Sequence, residues 1–355
     1  MPSSPKLVPP IEAEPPWLTW EDVEKPLPDL EYFCPALKIV AGGGAPHMIA
    51  GSSFVGKSIA VQSMIVSLCT GVPVWGAFPT EKPFKVAHID LEQGIYRTAE
   101  RYQRLAYALK ADRALLKENF ALKVHPREYT LSTPSPKTER AWARAMRGRD
   151  LIVIDTLRPA MPGLNENDSL FGEGLYFLGR LSEETGCRAL IVHHTKKAGP
   201  DGVDRDGRKE SIRGTTGIFA ACDHILVLYG KKFEPFEVTT EKNREGVEID
   251  PFFLNLQDVD GRKGLRVAML DPEAAKKSLS EAKAARRTGE DKDAIKAALV
   301  AAGPGGLGTE QLRETCGLNG IRFSSAVKAW GDDIRVHGAK VNGSIMKVHT
   351  WDGEC

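Results

Sequence analysis

Eight residues, Gly51-Ser52-Ser53-Phe54-Val55-Gly56-Lys57-Ser58, set two glycines five positions apart and follow the second with lysine and serine. These types at this spacing suit a bound polyphosphate. The glycines let backbone N–H groups curl around a pyrophosphate, Lys57 can reach the outer phosphates, and the Ser58 hydroxyl can ligate Mg2+. The apolar run from His47 to Ala50 predicts a strand in front of the loop. The segment SIAVQSMIVSLCT predicts a helix behind it, with Ile59 in its first turn and the positive end of its dipole aimed at the same anion. The expected ligands of residues 51–59 are therefore ATP and Mg2+.

Hydrolysis needs more than a phosphate cradle: a metal anchor, a base for water and a cation for the transition state. Asp155 ends the run LIVID, and a carboxylate at the C-terminal end of a central parallel strand stands beside the phosphate loop, where it can join the Mg2+ shell. Glu92 ends VAHIDLE and is the favoured base for the attacking water. Asp90, two residues earlier, is the other candidate. His193 and His194 close another apolar run. Neighbouring strand side chains point to opposite faces, so one of them can sense a γ-phosphate while the other packs. Three cations remain to be placed: Arg213 in SIRGTT, and Lys242 and Arg244 in TTEKNREG. An exposed Lys-x-Arg is ordinarily a solvated pair, but it could also reach the phosphate of a neighbouring subunit.

Positioning these groups calls for an α/β core. From residue 36 to about 270, strand-like runs (85–92, 120–126, 150–156, 187–195) alternate with helical patterns (97–110, 137–148, 169–186), the signature of βαβ units and a mostly parallel sheet. After Cys222 four short strands follow without helices, predicting an antiparallel extension of the sheet. The expected organisation is a Pro-rich arm over 1–35, with Trp17, Leu18 and Trp20 as an apolar anchor or as part of a disordered tail. An ATPase domain over 36–272 follows, then a charged helical linker over 273–290. The last segment, 291–355, reads as three short helices and a hairpin turning at Asn342-Gly343, similar to a winged helix.

Composition narrows the function classes. The 355 residues carry a net charge of +1, so nucleic-acid contact must come from local patches. The six cysteines form no C-x-x-C pair, which suggests neither a zinc site nor a disulfide framework. No apolar run is long enough to span a bilayer, and residues 1–16 lack a basic-then-apolar leader pattern. A cytoplasmic protein with reduced thiols and no membrane partner is the simplest expectation.

The motifs GSSFVGKS, HIDLEQG, LIVIDT, VHHTKK and IRGTTGIFAACDHILVL, in this order over residues 36–260, resemble the RecA-like hexameric ATPases and, within them, the RepA-type plasmid replicative helicases. The resemblance implies a RecA-like phosphate-loop core, with Lys57 and Ser58 on phosphates and Mg2+, Glu92 as base and Asp155 as the metal-side acid. It also implies that Arg101 and Arg213 lie near the nucleotide, that His194 is a polar sensor linking γ-phosphate to DNA, and that Lys242 and Arg244 act in trans. Two departures stand out. Thr156 follows Asp155 where paired acids are frequent, and the C-terminal segment lies outside the minimal helicase.

The resemblance further implies a homo-oligomer, a six-membered ring, acting on single-stranded DNA in plasmid, phage or mobile-element replication. A replication initiator or primase stands as a further partner. Of two candidate pore loops, 162–169 is acidic, whereas 196–213 is long and carries Lys196, Lys197, Arg205, Arg208 and Lys209 as DNA-contact candidates. In the C-terminal segment, IRFSSAVKAW would present Arg322, Ser324, Ser325 and Lys328 to DNA, although such modules also dock proteins. Two other function classes stay open: an ATP-dependent DNA-binding regulator or recombination mediator, and an ATPase switch that does not touch DNA.

Overall fold

A computed structural model describes residues 17–26, 29–132, 134–165, 170–195, 216–232, 234–246, 249–341 and 344–352. The chain forms two units, Met1–Glu31 and Tyr32–Cys355. In the first, Thr19 and Asp22 cap each other around a one-turn helix, α1 (Trp20–Val23).

The second unit begins with an antiparallel pair, β1 (Tyr32–Cys34) and β2 (Ile39–Val40). The core then runs β3 (His47–Gly51), α2 (Lys57–Thr70), β4 (Val86–Asp90), α3 (Ile95–Ala108), α4 (Arg113–Asn119), β5 (Phe120–Val124), α5 (Pro136–Met146), β6 (Leu151–Asp155), α6 (Leu157–Ala160), α7 (Leu170–Thr185), β7 (Arg188–His194), α8 (Thr216–Ala221) and β8 (His224–Tyr229). Three strands extend it: β9 (Phe236–Asn243), β10 (Phe252–Val259) and β11 (Gly264–Leu270). The sheet has the order β11-β10-β9-β8-β3-β7-β6-β4-β5. The pairs from β8 to β5 are parallel, and those from β8 out to β11 are antiparallel. The fold class expected from the sequence, an α/β core with a mostly parallel sheet, is the one observed.

The central strands are buried at every position because helices cover both faces of the sheet, so their sequences read as continuous apolar runs. Alternate residues serve two cores. Ile49, Val86, Val153 and Val192 pack on the face that holds α2 and α3. Met48, Ile89, Ile154 and Ile191 pack on the face that holds α5 and α7. Helix α2 is buried on nearly all sides, including Gln62, Ser63 and Ser67, which is why it shows no one-sided apolar stripe.

His47 and His224 are registered partners at the starts of β3 and β8, with ring centroids 6.0 Å apart. Burial pulls His47 down to about 3 and His224 down to about 4. Both rings stay neutral in the folded chain while the unfolded chain protonates them below about 6.5. Stability is therefore lost as pH falls from 6.5 toward 4, by up to about 1.4 kcal/mol per pH unit for each ring. Urea unfolding at pH 7.5 and 5.0 should show that loss, and His224→Asn should reduce it by the share of one ring, leaving that of His47.

The C-terminal elements are α9 (Pro272–Ala302), β12 (Leu307–Gly308), α10 (Thr309–Thr315), α11 (Gly320–Trp330), β13 (Ile334–Val341) and β14 (Ser344–Trp351). They enclose a core of their own around Ile295, Leu299, Leu312 and Phe323. Here the chain departs from expectation: the linker and the first short helix are one 31-residue helix, α9. Its sole internal breaker, Gly289, costs a helix only about 1 kcal/mol, too little to end it. No helix among the described residues is long and apolar enough to cross a membrane.

Candidate active site

The loop leaves β3 at Gly51 and enters α2 through Gly56, whose φ of 104° lies in the left-handed region. A β-carbon on Gly51 would stand 2.7 Å from the Leu228 carbonyl oxygen, so the turn closes only with glycine there. No side chain caps α2, so the N–H groups of its first turn face the loop concavity. Phe54, at φ 67°, forms the exposed tip of the loop, and the Lys232 ammonium lies 5.8 Å from the centroid of its ring.

The strand order brings the expected acids here. β7 lies beside β3 and β6 beside β7, all three parallel, so Asp155 and His194 end on the same edge of the sheet as Gly51. Asp155 is fully buried, and neither carboxylate oxygen has a hydrogen-bond partner. Burial pushes its carboxyl up to about 7. The Ser58 hydroxyl and Lys57 oppose that shift, and the charges of Asp90 and Glu92 add to it. A buried carboxylate with two unsatisfied oxygens, set against a serine hydroxyl, fits a hard divalent cation such as Mg2+.

Lys57 donates to the Ser52 carbonyl at 2.7 Å and lies 3.3 Å from His194 Nδ1. Burial pulls the Lys57 ammonium down to about 8, against the attraction of Asp155 and Glu92. On the other side of the imidazole, His194 Nε2 stands 3.5 Å from Glu92 Oε2. Glu92 Oε2 also accepts from the Thr156 hydroxyl at 3.2 Å. The His194 contact holds the Glu92 carboxyl below its ordinary range. Lys57, His194 and Glu92 thus form one chain of polar contacts across the mouth of the loop.

Asp90 and Glu92 have different surroundings. Glu92 lies beyond the end of β4, half exposed. Asp90 is buried and turned back on its own chain: Oδ1 accepts from the backbone N–H groups of Glu92 and Gln93, and Oδ2 accepts from the Thr98 hydroxyl at 2.5 Å. Asp90 shapes the turn that presents Glu92. His193 is buried in the sheet, so the two histidines do point to opposite sides. Arg101 is held below its ordinary value by burial and by Arg97, against the pull of Asp155 and Asp90, and has no hydrogen bond among the described residues. Thr156, read from the sequence as a departure from paired acids, supplies the hydroxyl that orients Glu92, a contact for which the sequence carried no signal.

Other expected residues lie elsewhere. Lys242 and Arg244 sit at the far end of the sheet, because β9 runs antiparallel to β8 and pairs Asn243 with His224, four residues before the Leu228 that faces Gly51. That is about 13 Å along the strand. There Lys242 donates to the carbonyls of Phe219 and Ala220 at 2.7 and 3.1 Å. Arg244 donates to Ala220 at 2.9 Å and pairs with Asp223. Asp223 also pairs with buried Arg188, whose guanidinium ties down the carbonyls of Gly42 and Ala45. A charged residue opening the apolar run of β7 was the one visible sign of that anchor.

Arg322 was expected to be exposed, but it is half buried and forks onto Asp291 of α9, with Nε 3.0 Å from Oδ2 and Nη2 on Oδ1. A nearly buried carboxylate demands a partner, and Arg322 is the cation within reach. Ser324, Ser325 and Lys328 are exposed on α11. Lys196, Lys197, Arg205, Arg208, Lys209 and Arg213 lie outside the described residues.

A search of curated proteins returns no match. Among solved structures the chain is similar to the crystal structure of the RadB recombinase, at 14% identity and a TM-score of 0.43, over 63% of this chain and 91% of that one. A family profile described as an AAA domain matches residues 9–200, more than half of the 355. With its phosphate loop at the head of α2 and two acids on the neighbouring strand ends, the chain belongs to this AAA domain family.

Proposed function

We propose that this chain is an ATP-hydrolysing, oligomeric DNA helicase or translocase acting on single-stranded DNA, assembled as a ring in the replication of a plasmid, phage or mobile element. One observation carries the oligomeric part: Lys242 and Arg244 stand at the opposite end of the sheet from the phosphate loop of their own chain, so they can meet a nucleotide only across a subunit boundary. In this reading the loop N–H groups and Lys57 bind the phosphates, and Ser58 and Asp155 would hold Mg2+, whose charge offsets that of the phosphate oxygens. Thr156 and His194 occupy Glu92 Oε2, leaving Oε1 to take the proton of the attacking water. His194 joins Lys57 to Glu92, so movement of the lysine toward phosphate is felt at the base.

A second reading, an ATP-dependent DNA-binding regulator or recombination mediator, draws on the C-terminal elements. Helix, short strand, two helices and hairpin follow one another as in a winged helix, with Ser324, Ser325 and Lys328 open on α11. The ATPase rate should rise when single-stranded DNA is added, and the ATP-bound assembly should have the mass of six subunits. No stimulation would sink the translocase. Tight duplex binding without displacement of a forked strand would favour the regulator.

A further inference from the structure

Helix α5 carries Lys137, Arg140 and Arg144, followed by Arg147 at its C-cap. These steps of three, four and three residues fall within about 80° of the helix circumference and span about 15 Å of its length. The opposite side, with Trp142 and Met146, is buried, as is Ala141 beside the row. All four cations are exposed, and none makes a hydrogen bond or ion pair among the described residues. Solvated helix faces commonly mix signs at i and i+4. Here the helix has one acid, Glu139, off the row. In a chain of net charge +1 such a row is a local feature.

The C-terminal half of the row borders a groove of about 420 Å3 between α5 and the strands β4 and β5. Ala87, Ile89, Ala121, Ala141 and Ala145 give it an apolar floor. Arg144, Arg147, Arg149 and Lys123 stand around it. Its one carboxylate, Glu128, lies 3.6 Å from Lys123. Because β5 is the edge strand, the groove is open at the side.

We propose that this face binds single-stranded nucleic acid, with backbone phosphates along the α5 row and an unpaired base in the apolar groove. Regularly spaced cations without carboxylate partners match a polyphosphate chain. A duplex keeps its bases stacked inside and offers the groove nothing. This contact lies outside the 196–213 loop and the α11 surface on which the proposed function draws.

The test is fluorescence anisotropy of a labelled single-stranded oligonucleotide against the full chain over a range of salt. Neutralising the row (K137Q/R140Q/R144Q/R147Q) should weaken binding at least tenfold and reduce the slope of log K against log salt by up to about 3, at about 0.7 per lost phosphate contact. A variant with the same charge change on α9 (K276Q/K277Q/K283Q/R287Q) should bind as wild type. If the fourfold variant does not fold, Arg140→Gln with Arg144→Gln carries the test at half the slope change. Unchanged binding in the row variants, or equal loss in the α9 control, overturns the inference. So does displacement of the oligonucleotide by polyglutamate as readily as by unlabelled DNA, or tighter binding of a duplex of equal length. Loss on substituting Lys196 and Lys197 with no loss in the row variants would overturn the inference and leave the proposed function standing. No nucleic-acid binding by wild type would overturn both.

Discussion

Glu92→Gln is expected to lower ATP turnover by about 10²- to 10⁴-fold, the usual worth of a general base, while nucleotide still binds. Glutamine keeps the size and the contact with the Thr156 hydroxyl but cannot accept the proton of water. The loop, Lys57 and Ser58 are untouched, so fluorescent-nucleotide affinity should stay within a few-fold of wild type while phosphate release stops. The geometry leaves little room for Asp90 in this role, since both its oxygens are engaged by the Glu92 and Gln93 N–H groups and by Thr98. Normal turnover in Glu92→Gln would remove Glu92 from the chemistry and, with it, the meaning of the Lys57–His194–Glu92 chain.

Arg244→Ala is expected to cost turnover on a similar scale, because a trans arginine at a transferring phosphoryl group contributes about 10³- to 10⁵-fold. The sharper result concerns mixtures. An Arg244→Ala subunit retains its own phosphate loop and Glu92, and a Glu92→Gln subunit retains its own Arg244. In a head-to-tail assembly about one interface in four joins the intact halves of the two, so mixing two inactive proteins should restore up to about a quarter of wild-type turnover. Each variant alone stays inactive. No recovery on mixing, with both variants assembled, would place Arg244 outside the hydrolytic site and confine it to its contacts with Asp223 and the end of α8.

Much of the fold could be read from the chain because its determinants are local. LIVID and HMIAG carry unbroken apolar runs next to one polar end residue, which a strand covered on both faces requires, and the phosphate loop has a spacing that few other structures need. The continuity of α9 escaped because a charged, alanine-rich stretch reads equally as a linker or as the middle of a long helix. Its partners, Arg286 against Glu234 and Asp291 against Arg322, are distant in sequence. The Arg322 contact was hidden for the same reason: a buried acid's claim on a particular cation is set by packing between helices.

The sequence by itself determined that a nucleotide loop sits between a strand and a helix, that acids end two apolar strands, and that cations follow a late strand. Each follows from residue type and short-range spacing. Only the tertiary structure decided which of these meet. Placing β3 between β7 and β8 sets His194 against Lys57, and the turn held by Asp90 sets Glu92 against His194. The antiparallel course of β9 carries Lys242 and Arg244 to the far end of the sheet. Strand order and direction are properties of long-range pairing, in which residues more than a hundred positions apart are neighbours. For that reason the distance of Lys242 and Arg244 from the phosphate loop of their own chain is visible in the folded chain and not in the order of its residues.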